Sequence, residues 1–406
     1  MVELTLYLFD DGAARRWEPF ALTRPIGELL LGAHTFRARA ELLFGARCAG
    51  HVSAEHLLGF DEPYAARVVA AHSIGKDRPR LFLSSRAVLD WDVRIDARER
   101  ATLLSTDGDV VGLFLPAGAP TPAEDWFVAP AVDGGHVQHV SGRVLRWPWN
   151  LVAENAAQVV RDYERGHSAE AEPAVPRFDA IGYSAGALRV GDNVTIEPNV
   201  VLDFSHGPIW LDDGVTVRSF TRLAGPAYVG PGSTLLGGPY EAISIGPVCR
   251  VHGEVEESIV LGYSNKAHAG FLGHAYLGRW VNLGAMTTNS DLKNNYGTIR
   301  MWTPDGETDT GLIKLGCLIG DHVKTGIGAL LNTGTVIGAG SNLYGTDMPP
   351  KYVPPFSWGS GAELVPYDPE KFLDVTQTVM KRREVALSAD MTRVLRAAWR
   401  LAREQS

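Results

Sequence analysis

The sequence predicts an α/β domain followed by a parallel β-helix of six-residue repeats and a C-terminal helix. In the first part of the chain, strand-like and helix-like segments alternate. In the second part, aliphatic residues recur at every sixth position, a period that fits neither an α-helix nor an ordinary strand. The recurring residues are Val190, Ile196 and Leu202, then Leu211, Val217, Leu223, Val229 and Leu235, and finally Ile319, Leu331, Ile337 and Leu343, with Thr325 at the missing step.

The first domain is predicted to span residues 1–165. Its strand-like segments include LTLYLF, RLFLSS and VVGLFLP, and its helix-like segments include TFRARAELLFG and NLVAENAAQVVRDYERG. This alternation is typical of helices packed on a mainly parallel sheet. The stretch that follows, GHSAEAEPAVPRFDA, has low hydrophobicity and is predicted to be a linker over residues 166–180.

The β-helix is predicted over residues 181–348. Each hexapeptide can form one short strand and a tight turn, with its aliphatic residue inside a three-sided prism, and about three hexapeptides complete one coil. The repeat is interrupted around 236–262 and 292–318. The second interruption reads as an inserted loop or hairpin, and its role as a lid or as a contact between subunits is open.

Residues 349–406 contain most of a Pro-rich extended segment, TDMPPKYVPPFSWGSG (residues 346–361), and then an amphipathic helix from about Pro369 to Glu404. The helix has an apolar stripe that needs cover, so we expect it to pack across the β-helix.

Composition restricts the class of protein. The chain has 406 residues and a net charge of −9, with no lysine-rich block. This charge argues against nucleic acid as the main partner. A local basic pocket for a small anion is compatible with the same composition. No apolar run approaches the ~18 residues of a membrane span, and the start lacks a signal-peptide pattern, so a cytoplasmic protein is expected. The three cysteines show no metal-ligand or disulfide spacing and are expected to be buried.

The segment SNKAHAGFLGHAYLGRWVNLGAMTTNSDLKN, residues 264–294, resembles the acetyl-transfer site of the bifunctional uridyltransferase and acetyltransferase family that makes UDP-N-acetylglucosamine. SNKAHAGFLG corresponds to a Ser-Lys, His and Tyr-Leu-Gly pattern, and VNLGAMTTN corresponds to Asn-Ile-Gly-Ala-Gly-Thr. The resemblance implies a nucleotidyltransferase-like (Rossmann-like) first domain, a left-handed β-helix, and a homotrimer with active sites between neighbouring prisms.

The same resemblance implies roles for individual residues. His268 would be the general base that takes a proton from the amine attacking acetyl-CoA, which suits an imidazole because its unperturbed pKa is about 6.5. Asn289 would bind the amine or the sugar. The remaining predicted substrate ligands are Arg250, Lys266, Asn282 and Lys293. For Lys266 or His274 taken alone, a structural role is the simpler interpretation, and His274 is expected to be structural or to support the site indirectly.

Two departures from the family pattern concern the acyl acceptor. Phe271 replaces the family's tyrosine, and Glu254, Glu256 and Glu257 stand where a phosphate-binding lysine is expected. An acidic cluster repels a sugar phosphate. The cluster therefore favours an acceptor other than glucosamine 1-phosphate, such as another amino sugar or a nucleotide sugar. The substrate class predicted from the sequence as a whole is an amino sugar phosphate or a nucleotide amino sugar.

The segment LFDDGAARRWEPFALTRPIGELLLG is similar to an altered subgroup of the same family. Sugar nucleotidyltransferases hold a nucleoside triphosphate with backbone N–H groups and basic side chains. The residues that keep part of this pattern are Gly12, Arg15, Arg16, Thr23 and Arg24. Ile26 occupies the expected lysine position, and no Gly-Asp pair for Mg²⁺ follows RLFLS. Asp90 and Asp92 are alternative ligands, but exposed turn carboxylates are the simpler interpretation.

These observations predict an acetyl-CoA-dependent acyltransferase with a degenerate nucleotidyltransferase-like domain and a small-molecule sugar substrate. Mg²⁺ and a nucleoside triphosphate are expected only if the first domain is active. One alternative is a working sugar-1-phosphate nucleotidyltransferase whose β-helix serves regulation or assembly. A second is a noncatalytic scaffold that binds a nucleotide sugar.

Overall fold

The computed structural model describes residues 4–96, 99–131, 135–166, 179–182, 184, 186–345 and 347–404. Most of the predicted linker, residues 167–178, lies outside the described residues. The described chain divides into two compact units. The first contains residues 4–29, 34–148 and 385–401, and the second contains residues 30–33, 149–384 and 402–404.

The first unit is built on a mixed six-stranded sheet, which confirms the α/β prediction. The strands up to residue 144 are β1 Thr5–Phe9, β2 Leu30–Leu31, β3 His34–Thr35, β4 Cys48–Val52, β5 Arg80–Ser84, β6 Ala87–Leu89, β7 Thr102–Thr106, β8 Asp109–Leu115, β9 His136–His139 and β10 Gly142–Val144. The sheet order is β4-β1-β5-β8-β7-β9. β1 runs parallel to β4 and β5, whereas β8 is antiparallel to β5 and β7, so the sheet is less uniformly parallel than expected.

Helices and short turns complete the chain. The α-helices are α1 Phe36–Phe44, α2 Glu124–Val128, α3 Asn150–Gly166, α4 Pro369–Lys381 and α5 Ala389–Glu404, and the 3-10 turns are Ala14–Arg16, Ile26–Glu28, Glu55–Leu57 and Ala71–Ser73. α1 begins where the Thr35 side chain accepts a hydrogen bond from the Ala38 N–H, and it ends at Gly45 with φ 61°. None of the helices among the described residues is long and apolar enough to cross a bilayer.

The second unit is a parallel β-solenoid, which confirms the interpretation of the six-residue period. Its strands are β11 Asp179–Ile181, β12 Leu188–Val190, β13 Thr195–Ile196, β14 Val201–Asp203, β15 Ile209–Leu211, β16 Thr216–Val217, β17 Thr221–Ala224, β18 Ala227–Val229, β19 Thr234–Leu235, β20 Gly238–Glu241, β21 Ser244–Ile245, β22 Arg250–Val251, β23 Val255–Glu256, β24 Ile259–Gly262, β25 Asn265–Lys266, β26 Leu272–Gly273, β27 Tyr276–Arg279, β28 Thr288–Asn289, β29 Arg300–Thr303, β30 Gly306–Asp309, β31 Cys317–Ile319, β32 Lys324–Thr325, β33 Leu330–Leu331, β34 Thr335–Ile337, β35 Asn342–Leu343, β36 Tyr352–Val353, β37 Ser357–Ser360 and β38 Glu363–Pro366.

The solenoid has three faces, and each coil adds one strand to each face. The first face is β11-β14-β17-β20-β23-β26, the second is β12-β15-β18-β21-β24-β27-β31-β34-β36, and the third begins β13-β16-β19-β22-β25. Isolated bridges from Asn265 to Asn282 and from Asn282 to Lys324 link the third face to β32, and β35 and β37 follow. The predicted aliphatic positions supply the buried interior, including Leu211, Val229 and Ile337.

The predicted interruptions have two different causes. Around 236–262 the coils shorten: Ile209 aligns with Ala227, 18 residues later, whereas Ser244 aligns with Ile259, 15 residues later. Around 292–318 an antiparallel hairpin of β29 and β30 is inserted, as predicted. The Trp302 ring of this hairpin stacks on Tyr352, with centroids 3.5 Å apart.

The predicted C-terminal helix is divided in two. α4 ends near Arg382 and α5 begins at Ala389, and Glu384 between them has φ 60°, which an α-helix cannot contain. α4 packs on the solenoid, where Phe372 contacts the Phe356 ring at 5.1 Å between centroids. Most of α5 belongs instead to the first unit, where Asp390 lies 3.3 Å from Arg67. The expectation of one helix across the solenoid was therefore wrong for α5.

Candidate active site

His268 lies on the turn that connects β25 of the third face to β26 of the first face. Its side chain is exposed. Gly270 allows this turn to pass close to the next coil: its φ is 132°, and an added Cβ would lie 2.2 Å from the Thr287 carbonyl oxygen. The turn therefore has a fixed path that presents the imidazole to solvent.

Lys266 lies beneath this turn. It aligns with Val251, and the corresponding positions in earlier coils are Leu235 and Val217, so the lysine stem occupies an interior, otherwise aliphatic position. Its Nζ donates to the carbonyl oxygens of His252 at 2.6 Å and His268 at 3.2 Å. Burial lowers the pKa of Lys266 to about 8. The lysine holds the His268 backbone in place, and its role as a substrate ligand stays a prediction.

A second histidine, His274, occupies a different corner with φ 46°. Its Nδ1 lies 2.8 Å from Asp291 Oδ2, and its Nε2 lies 3.4 Å from Glu257 Oε2. Burial alone would lower the pKa of His274, but hydrogen bonds and charge from both carboxylates raise it to about 9. At neutral pH the ring is an imidazolium and cannot accept a proton. Of these two histidines, His268 is the candidate base.

The acidic cluster expected to repel a sugar phosphate is largely compensated. Glu256 pairs with Lys314 at 3.1 Å, and Glu257 faces the charged His274. Ligand atoms of Glu256, Glu257 and His274 lie within 4.8 Å of one another and have the donor types of a metal site. The positive charges of the Lys314 ammonium and the protonated His274 ring already compensate these carboxylates, so we assign no metal ion to this cluster.

The charge state of His274 gives a testable pH dependence. Because its folded-state pKa is raised from 6.5 to about 9, its ion pairs stabilise the fold fully below about pH 6.5, and this contribution is lost as pH rises through 9. We expect His274→Gln to lower the free energy of unfolding by about 3 kcal/mol at pH 6 and by much less at pH 10. Urea unfolding at both pH values measures this, with the exposed His206→Gln as control. Equal losses at both pH values would contradict the assignment.

The other predicted ligands are dispersed. Asn289 is buried: its Oδ1 accepts from the Gly273 N–H and its Nδ2 donates to the Gly273 carbonyl, both at 2.9 Å, so its amide joins two coils. Lys293 lies before the inserted hairpin and donates to the Thr298 carbonyl. Arg250 and Asn282 line a separate cleft on the third face. The structure brings Lys266 and His268 together, and the ligand roles of the others stay predictions.

The predicted nucleotide-binding residues lie around the end of β1. The Gly12 N–H donates to the Val128 carbonyl at 2.7 Å, and the exposed Arg16 ends a short 3-10 turn. Arg15 pairs with Glu124 at 3.0 Å. Thr23 and Arg24 are both about 1% exposed. The Arg24 guanidinium forms two hydrogen bonds with Glu62, at 3.1 and 3.3 Å.

The carboxylates at the same strand end are engaged within the protein. Asp10 is buried, which raises its pKa, and it accepts hydrogen bonds from Ser53, Ser85 and the Ile26 N–H. Asp11 is held by the Arg86 guanidinium through both oxygens. Asp90 and Asp92 are exposed. Since Mg²⁺ needs accessible oxygen ligands, the buried carboxylates do not fit a metal in this arrangement.

Sequence reasoning missed four polar residues of the third-face cleft: Asn265, Lys324, Arg382 and Arg383. Asn265 and Lys324 each directly precede an inward-facing residue, as Arg250 precedes Val251, so aligning the coils would have found them. The two arginines follow α4, and no spacing in the sequence places them against the solenoid.

Comparisons with known proteins agree with the predicted resemblance. Residues 6–169 match the family model described as sugar nucleotidyl transferase. The chain is 33% identical over 159 residues to the bifunctional protein GlmU of Synechococcus elongatus, a match covering 38% of this chain and 30% of the relative. It is 28% identical over 167 residues to a bifunctional sugar-1-phosphate nucleotidylyltransferase/acetyltransferase of Sulfurisphaera tokodaii, covering 41% and 40%.

The matches span about a third of the length of these curated relatives. A further match, to GlmU of Xylella fastidiosa, is 33% identical over 181 residues and covers 37% of this chain and 36% of the relative. Among solved structures, the Arabidopsis UDP-N-acetylglucosamine acyltransferase aligns with a TM-score of 0.26 at 12% identity, covering 51% of this chain and 78% of that one.

Proposed function

We propose that this protein transfers an acetyl group from acetyl-CoA to the amine of a sugar phosphate or nucleotide sugar, with His268 as the general base. The observation that carries the proposal is the exposed His268 imidazole on a turn fixed by Lys266 and Gly270. Its neighbour His274 is held as a cation and is unsuitable for this role. Similarity to relatives named as bifunctional nucleotidylyltransferase/acetyltransferase enzymes supports the same chemistry.

Acetyl-CoA supplies an acyl group activated as a thioester. The sugar amine attacks the thioester carbonyl, a C–N bond forms, and the C–S bond breaks. His268 accepts the proton that the amine loses and returns it to the departing thiolate, which balances the reaction. Lys266 is a positioning residue, since it holds the His268 carbonyl rather than a substrate. Close placement of amine and thioester supplies most of the rate enhancement.

For the first unit we propose a role in binding a nucleotide or nucleotide sugar without nucleotidyl transfer. Two of the predicted nucleotide-binding arginines pair with carboxylates of the protein, Arg24 with Glu62 and Arg15 with Glu124, and Asp11 at the same strand end pairs with Arg86. The competing function, an active sugar-1-phosphate nucleotidyltransferase, is favoured by the family match over residues 6–169. We further propose a homotrimer, in which a neighbouring solenoid packs beside the exposed His268 turn and forms a substrate cleft with it.

Thiol release from acetyl-CoA across a panel of amino sugars, their 1-phosphates and their nucleotide derivatives tests the proposal. Acceptor-dependent thiol release, with an N-acetylated product of the expected mass, supports acyl transfer. Pyrophosphate release from UTP and a sugar 1-phosphate with Mg²⁺, in the absence of acceptor-dependent thiol release, would replace the proposal with nucleotidyl transfer.

A further inference from the structure

A cationic cleft lies on the third face of the solenoid, beside the end of α4. Its volume is about 350 Å³. Four basic residues line it: Arg250, Lys324, Arg382 and Arg383. The other lining residues are Tyr263, Asn265, Trp280, Val281, Asn282 and Val379. All of them belong to the second unit.

The cleft combines equivalent positions of successive coils. Arg250 pairs with Asn265 across neighbouring strands, Asn265 bridges Asn282, and Asn282 bridges Lys324, so four outward-facing polar residues form one row. This row lies at the start of β25, whereas His268 lies on the turn after β25. The cleft is therefore a location distinct from the proposed acyl-transfer turn.

The positive charge of the cleft is not neutralised by the described protein. No carboxylate lines it, and none of the four basic side chains forms a salt bridge with a described residue. Arg383 donates to Asn265 Oδ1, and Lys324 donates to the His322 carbonyl at 3.1 Å, so both cations are held in place by neutral acceptors. Burial, followed by the charges of Arg250 and Arg382, lowers the pKa of Arg383. Burial also lowers the pKa of Lys324 to about 8.

Fold stability does not account for this arrangement. A helix C-terminus favours basic residues, which explains Arg382 and Arg383 at the end of α4. It does not explain Arg250 and Lys324, which the solenoid places opposite them from different coils. Four like charges around one cleft destabilise the empty protein. An anionic ligand would remove this cost.

We propose that this cleft binds the pyrophosphate group of an organic ligand, such as a nucleotide sugar or coenzyme A. Guanidinium groups bind phosphate oxygens through paired hydrogen bonds, and the side-chain amides of Asn265 and Asn282 can bind neutral parts of the ligand. A cleft of this volume is in the range of small-molecule sites and accommodates more than one phosphate group. This inference does not depend on the function proposed for His268.

Isothermal titration of the full chain with inorganic pyrophosphate, UDP-N-acetylglucosamine and coenzyme A tests the proposal. Arg250→Gln and Arg382→Gln are the test variants, because neither side chain has a hydrogen bond to another described residue. Each variant should raise the Kd for pyrophosphate by about tenfold or more. The control is Arg218→Gln, which removes an exposed arginine of the solenoid outside the cleft and should change the Kd by less than about twofold.

The two organic ligands show which kind of molecule supplies the pyrophosphate group. The ligand that belongs in the cleft should bind more tightly than inorganic pyrophosphate, and its affinity should fall in the Arg250→Gln and Arg382→Gln variants. His268→Ala should bind pyrophosphate like the original protein, whether or not it loses acyl transfer. The proposal is overturned if none of the three ligands binds, or if Arg250→Gln and Arg382→Gln bind as tightly as Arg218→Gln.

Discussion

His268→Ala should lower kcat/KM for acetyl transfer by about 10² to 10⁴, because it removes the group that accepts the proton from the attacking amine. The fold should be unaffected, since the His268 side chain is exposed and the hydrogen bond from Lys266 reaches the backbone carbonyl of His268, which the substitution keeps. The measurement is the initial rate of thiol release with the acceptor that the panel identifies.

His206→Ala is a matched control for this variant. His206 is also an exposed histidine on a turn of the solenoid, after β14, and its removal should leave the rate and the melting temperature unchanged. If His268→Ala retained activity within about threefold of the original protein, proton removal at this position would be unnecessary and the assignment of His268 as base would be wrong.

Arg24→Met should destabilise the first unit by about 3–5 kcal/mol, because it removes the guanidinium that pairs with the buried Glu62 carboxylate. Both side chains are 1% exposed, and their hydrogen bonds are 3.1 and 3.3 Å long. Glu62→Leu should cost a similar amount, whereas the double variant should recover much of the loss, since two apolar side chains leave no unpaired charge. Urea unfolding of the full chain, followed by fluorescence and by hydrogen exchange of the β1 amides, measures the effect.

Arg146→Met provides the comparison within the same unit. Arg146 pairs with Asp109 at 2.6 Å, but its side chain is 61% exposed, so its loss should cost less than about 1 kcal/mol. Additive losses in the Arg24→Met and Glu62→Leu double variant would contradict the account of this pair.

Because Arg24 supports the fold, an activity lost on its substitution would not locate a nucleotide site. The exposed Arg16 is the more informative residue for that question.

The sequence was sufficient to predict the solenoid because its interior requires one aliphatic residue in each strand, and that requirement repeats along the chain. The same rule obscured the shortened coils, where the repeat is 15 residues between Ser244 and Ile259. It also concealed Lys266, which occupies an interior position while its Nζ reaches the carbonyls at the corner. A lysine is normally interpreted as exposed, and only the strand register shows otherwise.

The candidate site could be predicted only where its residues are close in sequence. His268 and Lys266 are two residues apart, so one segment and its resemblance to a known family indicated both as candidates. The third-face cleft joins residues from four separate coils and from the end of α4, and the placement of Arg382 and Arg383 against the solenoid depends on tertiary packing. The roles of Arg24 and Asp10 were equally inaccessible, because their partners Glu62, Ser53 and Ser85 are distant in sequence.

The central claim is that the solenoid presents the imidazole of His268 to an amine and a thioester. A crystal structure with coenzyme A and the amino-sugar acceptor bound tests it most directly. The account predicts the acceptor nitrogen within about 3 Å of a ring nitrogen of His268, with the coenzyme sulfur on the opposite side of that nitrogen. Density for both ligands at a position away from the His268 turn would contradict it.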